Sequence, residues 1–158
     1  MVYNLLSQWK LWFHSIKDNN WDKGSYKKIY DIENLMDYNA IKSIFKQNHY
    51  PNGMFFVMKD GIFPNWEDPS NRLGGCLSFK IASQHVMGEW NNILLKCINE
   101  DILMDQNDKI TGISIAPKKE FNIIKIWFSE KIEYKKRFKN MDDSSLNIDN
   151  SLFRLHNI

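Results

Sequence analysis

Stretches in which apolar and polar residues alternate recur along this chain and predict β-strands with two unlike faces. In Cys76–Ile81, for example, Leu77 and Phe79 alternate with Ser78 and Lys80. Successive side chains of a strand point to opposite faces of a sheet, so this pattern indicates one buried and one polar face. The predicted strands are Trp9–His14, Tyr26–Ile32, Met54–Lys59, Cys76–Ile81, Ile110–Ala116, Asn122–Phe128 and Leu152–Leu155.

Two further stretches carry apolar residues at helical spacing. Asn34 is a candidate N-cap for a helix that runs to about Gln47, and a second helix is predicted to begin near Ser83 or Gln84. Each has a single apolar stripe that would pack against a sheet. The stripes comprise Leu35, Tyr38, Ile41, Ile44 and Phe45 on the first helix and Val86, Trp90, Ile93, Leu94, Cys97 and Ile98 on the second.

The order of these elements predicts the fold class. Strict alternation of strands and helices is absent, and so is the glycine fingerprint of dinucleotide-binding folds. A charged run predicts a third helix over Glu130–Lys139, and Met141–Asn150 is predicted to be loop. We therefore predict an α+β fold, with a single curved antiparallel β-sheet and helices packed on its convex face. The 158 residues match the size of one domain, which we take as 1–158.

Composition narrows the class of protein. A net charge of +2 argues against a protein that coats long nucleic acid, because such binding needs many phosphate contacts. The two cysteines form neither a disulfide framework nor a zinc site, and we expect no cofactor or metal. No signal peptide or membrane-spanning run is evident, so a cytoplasmic monomer without membrane contact is expected. Of the six tryptophans, Trp9, Trp12 and Trp90 fall within apolar patterns and are expected in the core.

The loop between Lys59 and Gly75 carries the most distinctive chemistry. Its residues Trp66, Glu67 and Asp68 lie between a proline turn and a Gly-Gly turn. Trp66 offers a flat π-face beside the Glu67 carboxylate, which only accepts hydrogen bonds. A flat, electron-poor ligand rich in N–H donors fits this pair, and a positively charged purine has these properties. Asp68 is expected to hold the loop by accepting from backbone N–H groups.

Four blocks of the sequence resemble the eukaryotic translation initiation factor 4E family, whose members bind the 7-methylguanosine cap of messenger RNA. The blocks read WKLWF at Trp9–Phe13, KDGIFPNWEDPSNRLGG at Lys59–Gly75, WNNILLKCINED at Trp90–Asp101 and ITGISIAPKKEFNIIKIWF at Ile110–Phe128. They occur in family order with near-family spacing and cover most of the chain. The resemblance implies a cap-binding module that is not an enzyme, binds capped messenger RNA and supports translation initiation.

The resemblance also assigns roles to individual residues of the base pocket. Trp66 matches one of the two tryptophans that sandwich the methylated guanine, and Trp21 is the candidate for the other. Glu67 matches the residue that accepts hydrogen bonds from the base edge. Trp127 matches the residue that touches the N7 methyl group.

The triphosphate of the cap needs cations, and the resemblance places them in the hairpin before Trp127. Lys118 matches one basic residue of the family, Lys119 is an adjacent substitute, and Lys125 is a further candidate. Basic residues of the family are replaced here by Cys76, Glu120 and Ile123. The phosphate-binding set implied by the resemblance therefore contains fewer basic residues than the family pattern.

Family members bind a scaffold protein or repressors through a helical peptide on the helix-covered side. The matching residues here are Leu35, Tyr38, Asn39, Leu95 and Asn99. Asn39 stands where the family has an exposed Trp, and Asn99 stands where it has a Gly. The His-Pro pair that supports the peptide reads Tyr3-Asn4 here. We therefore expect a divergent scaffold-type partner or repressor peptide on this face.

Three other functions remain open from the sequence. A cap-binding repressor would share the pocket and differ in scaffold binding. A cap-cleaving hydrolase needs clustered carboxylates for metal ions, and Asp101, Asp105 and Asp108 show no such motif. A generic binder of single-stranded RNA would stack bases without preferring the methylated one.

Overall fold

The computed structural model describes residues 4–139 and 146–156, which fold around one seven-stranded antiparallel sheet. The strands are β1 (Asn4–Ser15), β2 (Lys27–Asn34), β3 (Gly53–Lys59), β4 (Gly75–Ala82), β5 (Ile110–Pro117), β6 (Phe121–Phe128) and β7 (Leu152–Leu155). Their order across the sheet is β2-β1-β3-β5-β6-β4-β7. The helices are α1 (Leu35–Ile44) and α2 (Val86–Ile98). This antiparallel α+β architecture confirms the predicted fold class.

Both helices pack on one face of the sheet and bury the main core there. This core includes Trp9 from β1, Leu77 from β4, and Trp90 from α2, whose ring is fully buried. The predicted stripe of α2 is buried along its whole length. The opposite face of the sheet carries a second, smaller cluster built on Phe56, Met58, Cys76 and Trp127, with Trp12 and Tyr26 packed against it.

Strand register sets which side chains share this second face. Residues paired directly across neighbouring strands point to the same side of a sheet. One row runs from Gly112 through Trp127 and Cys76 to Arg154, because each is the register partner of the next. Close approach of β7 to β4 requires Gly75, since a Cβ there would collide with the Arg154 carbonyl.

Local chemistry explains why α1 begins where the sequence predicts. The Asn34 Oδ1 accepts from the Asp37 N–H at 3.1 Å, and Asp37 Oδ2 accepts from the Asn34 N–H at 3.3 Å. This reciprocal capping box satisfies backbone donors that have no partner inside the helix. The helix ends at Ile44, before the predicted limit, because Phe45 is extended and Gln47–Asn52 forms a 3₁₀ turn that includes Pro51.

The prediction of a third helix over Glu130–Lys139 is wrong. Only Tyr134–Lys136 forms a 3₁₀ turn. The backbone beyond it pairs with a distant segment: the Met104 N–H donates to the Arg137 carbonyl, and the Lys139 N–H donates to the Ile102 carbonyl. These long-range hydrogen bonds compete with those of a helix and replace them.

The strand predictions are confirmed, each element extending the predicted range or matching it closely. Of the predicted loop Met141–Asn150, residues 141–145 lie outside the described residues, as does Tyr3, and Ile148–Asn150 forms a 3₁₀ turn. Within the described ranges, neither helix combines the length and apolar character needed to cross a membrane.

Candidate functional site

A cavity of about 460 Å³ opens on the sheet face opposite the helices. Its volume falls in the range of small-molecule sites. The aromatic part of its lining consists of Trp21, Tyr26, Phe56, Trp66 and Trp127. The ionisable part consists of Glu67, Cys76, Lys125, Arg154 and His156. The structure therefore brings together four predicted base-site residues and one predicted phosphate-site residue.

The loop between β3 and β4 presents Trp66 and Glu67 at the cavity. Asp68 organises this loop, because its carboxylate accepts from the Phe63 N–H and the Ser70 N–H, each at 2.9 Å. This confirms the structural role predicted for Asp68. Local side-chain bonds of this kind fix a turn without regular secondary structure. Trp66 and Glu67 are thus left facing solvent on a braced segment.

A buried amide braces the same loop from below. The Asn71 Nδ2 donates to the carbonyl of Asn65 at 2.9 Å and to that of Phe63 at 3.3 Å. Its side chain is fully buried, where unpaired backbone carbonyls would be costly. These hydrogen bonds hold the backbone at Phe63 and Asn65, which leads into Trp66, and so fix the position of the indole.

Trp21 reaches the cavity from the loop after β1, and a histidine supports it from behind. The His14 imidazole stacks on the Trp21 indole with ring centroids 3.7 Å apart and planes parallel at 0°. His14 Nε2 donates to the Asn20 carbonyl at 2.8 Å, so the imidazole also fixes the residue just before Trp21. His14 is fully buried, while Trp21 is 54% exposed. One indole face is therefore covered and the other is open.

Edge-to-face contacts connect the loops that carry the two exposed tryptophans. The Tyr26 ring lies 6.1 Å from Trp21 and 5.1 Å from Phe63, which belongs to the Trp66 loop. The Lys23 ammonium lies 5.2 Å from the centroid of the Phe63 ring. Aromatic and cation–π contacts of this geometry are attractive. They couple the positions of Trp21 and Trp66 through the side chains between them.

Trp127 lies in the floor of the cavity on β6. Its Nε1–H donates to the Ser114 Oγ at 3.0 Å, and its ring is 7% exposed. The Phe56 ring packs against it at 6.3 Å and 74°. The indole orientation is thus fixed from one side by a hydrogen bond and from another by a ring. Trp12 is also on this side, where it packs edge-on against Phe63 at 5.2 Å, while Trp9 and Trp90 are in the main core as predicted.

The Glu67 carboxylate is available to a ligand. Within residues 4–139 and 146–156, no hydrogen bond or ion pair engages it, and the residue is exposed. Its charge is felt inside the cavity, because burial and the nearby Glu67 carboxylate together raise the pKa of the Tyr26 hydroxyl. An acceptor-only anion thus stands at the rim beside a π-face.

The predicted phosphate-binding lysines occupy different positions. Lys125 lines the main cavity and an adjoining cavity of about 330 Å³. Lys118 lines only the adjoining cavity, which Trp21 also borders. Lys119 is exposed in the turn between β5 and β6, outside the lining of both. The structure therefore brings Lys118 and Lys125 towards the tryptophans and leaves Lys119 apart.

Four residues at the site are not among those predicted from the sequence: His14, Tyr26, Arg154 and His156. Their placement depends on strand register and on loop closure, which a single sequence reveals poorly. His156 lies 5.1 Å from the Trp127 ring, and its Nε2 is 3.6 Å from the Cys76 Sγ. Burial, followed by the positive charge of Lys125, lowers the pKa of His156. Across the part of the chain that is described, no three His, Cys, Asp or Glu side chains are grouped to hold a metal ion.

The helix-covered side presents the residues expected to meet a partner. Leu35 and Leu95 are half-buried, and Asn39 and Asn99 are exposed. Tyr38 lies beneath this surface: it is buried, and its hydroxyl donates to the Asn91 carbonyl at 3.1 Å, which ties α1 to α2. The exposed apolar side chain nearest to them in sequence is Met36, at 64% exposure.

Sequence comparison finds a family for nearly the whole chain. The model of the family described as eukaryotic initiation factor 4E matches residues 4–156. Eukaryotic translation initiation factor 4E of Dictyostelium discoideum is 25% identical over 135 residues, which cover 78% of this chain and 51% of that protein. The Homo sapiens protein of the same name is 26% identical over 133 residues, which cover 80% of this chain and 60% of that protein. The chain thus spans about half to three fifths of the length of these relatives.

Structural comparison finds the same fold in solved structures. A complex of Ascaris suum eIF4E-3 with m7G cap superposes with a TM-score of 0.74 at 18% identity, covering 84% of this chain and 77% of that one. A complex of C. elegans eIF4E-3 with the 4E-binding protein Mextli and cap analog gives 0.74 at 20% identity, covering 82% and 76%. Because the family model extends from β1 past β7, this chain belongs to the eukaryotic initiation factor 4E family.

Proposed function

We propose that this chain binds the 7-methylguanosine cap at the 5′ end of messenger RNA and thereby supports translation initiation. The observation that carries the proposal is one cavity lined by Trp21, Trp66 and a Glu67 carboxylate that has no partner among the described residues. Solved relatives of the same fold are complexes with m7G cap and with m2,2,7G cap. Family membership and pocket chemistry therefore support the same ligand.

The methylated base is the part of the cap that the two exposed indoles would bind. Methylation at N7 gives guanine a positive charge, and the electron-rich face of an indole attracts a cation placed against it. Trp21 and Trp66 are 54% and 46% exposed, so each has surface that a flat ligand would bury. A base between them would form two stacks, each contributing roughly 1–3 kcal/mol.

Glu67 would recognise the edge of the base. Guanine presents N1–H and an exocyclic amine on its Watson–Crick edge, and a carboxylate accepts from both donors. Adenine offers a different pattern, so this contact discriminates between the purines. Trp127, fixed by its bond to Ser114, would contact the N7 methyl group from the cavity floor.

The phosphates would extend towards the basic residues of β6 and of the turn before it. Lys125 lines the base cavity, and Lys118 lines the adjoining one. Lys119, on the exposed turn, would act at longer range. None of these contacts makes or breaks a covalent bond, so the proposed activity is binding and not catalysis. The proposed location of the protein is the cytoplasm.

Titration calorimetry with 7-methyl-GTP and GTP tests the proposal directly. Cap binding predicts that the methylated nucleotide binds at least tenfold more tightly, because only it carries the positive base charge. Equal affinities would instead favour a generic single-strand binder, and release of a cleaved product would favour a hydrolase. The alternative of a cap-binding repressor shares the nucleotide result and differs only in scaffold binding.

A protein partner would bind the surface formed by Leu35, Asn39, Leu95 and Asn99. The C. elegans relative is in complex with the 4E-binding protein Mextli, which supports the proposal of a protein partner for this chain. Here Asn39 provides no aromatic anchor, and buried aromatic anchors dominate interface energies. We expect a helical scaffold peptide to bind weakly and Asn39→Trp to raise its affinity on the order of tenfold. Calorimetry with the peptide measures both, and tight binding to the unaltered chain would contradict the expectation.

The His14 stack yields a further expected result. Replacing His14 by Ala removes the ring behind Trp21 and should weaken 7-methyl-GTP binding between about two- and tenfold. His14→Phe retains a stacking ring and should keep most of the affinity, although it loses the bond to the Asn20 carbonyl. Replacing His85, which is exposed in the 3₁₀ turn Ser83–His85 and lies outside the cavity lining, controls for loss of a histidine as such. Equal binding by the Ala and Phe variants would show that the stack does not support the site.

A further inference from the structure

One basic side chain in the cavity has no counterpart among the predicted site residues. Arg154 lies on the edge strand β7, directly opposite Cys76 in the register with β4. Cys76 is in turn opposite Trp127 on β6. Paired residues point to the same side of a sheet, so Arg154 projects on the face that bears the cavity, and it lines that cavity.

We propose that Arg154, together with Lys125, forms a cationic subsite that binds the phosphate groups of the cap nucleotide. The proposal rests on the proposed function, because it assigns a residue to the charged part of the same ligand. It differs from the expectation drawn from the sequence, in which the cations come only from β6 and the turn before it.

The charges facing the cavity favour an anion at this end. Arg154 is exposed, and in the described ranges neither it nor Lys125 forms an ion pair with an acidic side chain. Of the described residues that line this cavity, Glu67 is the one with a carboxylate. The positively charged base of the cap would lie beside Glu67, and its negatively charged phosphates would lie beside Lys125 and Arg154. Each part of the ligand would then face side chains of opposite charge.

Cys76 supplies no positive charge to this end of the cavity, so the positive charge would come from the strands beside it. Burial raises the pKa of the Cys76 thiol to about 12, so this residue stays neutral at physiological pH. The Lys125 charge opposes that rise and also lowers the pKa of His156, which indicates a positive potential at this end of the cavity. Arg154, next in the row after Cys76, adds a second positive charge there.

The guanidinium is suited to phosphate by its geometry. Its planar fork donates two parallel N–H bonds to phosphate oxygens, and it remains charged at any pH at which the protein is folded. An ammonium supplies one point charge. Arg154 would therefore supply directional contacts, and Lys125 would supply a second, less directional charge in the same cavity.

The test compares 7-methylguanosine, 7-methyl-GMP and 7-methyl-GTP by calorimetry for the unaltered chain, Arg154→Gln and Arg154→Lys. Arg154→Gln is expected to weaken 7-methyl-GTP binding on the order of tenfold and to leave the nucleoside affinity unchanged. Arg154→Lys should give an intermediate loss. Arg72→Gln is the matched control, because Arg72 is exposed in the Trp66 loop and lies outside the cavity lining.

Each alternative outcome has a distinct meaning. Equal weakening of nucleoside and triphosphate by Arg154→Gln would overturn the proposal, because it would show a structural role for the side chain. Unchanged triphosphate affinity would overturn it as well, while preference for the methylated base in the same titrations would leave the proposed function standing. If the unaltered chain shows no such preference, the proposed function fails, and this assignment fails with it.

Discussion

Replacing Glu67 by Gln is expected to weaken 7-methyl-GTP binding about 100-fold. The carboxylate accepts two charge-assisted hydrogen bonds from the base edge, and bonds to charged groups contribute about 1.5–3 kcal/mol each. A Gln side chain keeps one acceptor but turns an NH₂ group towards a donor on the base. Removal of the negative charge also weakens attraction to the cationic ring. Calorimetric titration of the variant measures the loss.

The matched control for this substitution is Glu33→Gln. Glu33 is an exposed glutamate on the edge strand β2, away from the cavity, and its replacement should leave nucleotide affinity unchanged. Thermal unfolding should be similar for both variants, because Glu67 has no partner among the described residues. A Glu67→Gln variant that binds within threefold of the unaltered chain would show that the carboxylate does not engage the base.

Replacing Trp66 by Ala is expected to weaken 7-methyl-GTP binding by on the order of tenfold or more, from the loss of one stacking surface. The loss should be smaller for GTP, because part of the attraction depends on the positive base. Trp66→Phe should retain part of the affinity, since a smaller ring still stacks. Calorimetry with both nucleotides separates the contribution of the charge from that of the stacking area.

Stability measurements test whether the Trp66→Ala variant loses affinity because it unfolds. Trp66 is 46% exposed, and Asp68 and Asn71 brace its loop independently of the indole, so urea unfolding should change little. The same substitution at fully buried Trp90 would instead destabilise the fold by about 3–5 kcal/mol. A Trp66→Ala variant with unchanged affinity for the methylated nucleotide would remove this residue from the site.

The sheet was predictable because its two faces meet different environments. In β4, Leu77, Phe79 and Ile81 are buried under the helices, while Ser78 and Lys80 point to the other side, as their alternation indicates. A shift of one residue would reverse every side chain, so the pattern specifies the register strongly. The same reasoning identifies the apolar stripe of α2, whose period matches a helix.

The segment 130–139 was not predictable in this way. Its charged residues have a high helix propensity, but propensity is weak beside tertiary contacts. The Arg137 carbonyl and the Lys139 N–H bond to residues near Leu103, a segment remote in sequence. Nothing local to either segment signals that pairing.

The residues of the candidate site also fall into two groups, those predictable from local sequence and those that only folding brings together. Trp66, Glu67 and Asp68 are neighbours in sequence, so their shared role is readable from a short loop. His14 and Arg154 join the site through folding: one stacks on Trp21 after a loop closes, and the other arrives opposite Cys76 through strand pairing. Chemistry carried by one segment was thus predicted, whereas chemistry assembled from several segments required the structure.

The parallel contact between His14 and Trp21 has an optical consequence. An imidazole in van der Waals contact with an excited indole quenches it by accepting an electron, so light emission from Trp21 should be weak before any ligand arrives. Trp9 and Trp90 are sealed in the main core and should emit without regard to the cavity. Fluorescence that changes with ligand should therefore originate largely from Trp66 and from Trp127 in the cavity floor, and spectroscopic titrations of this protein would report on the loop after β1 far less.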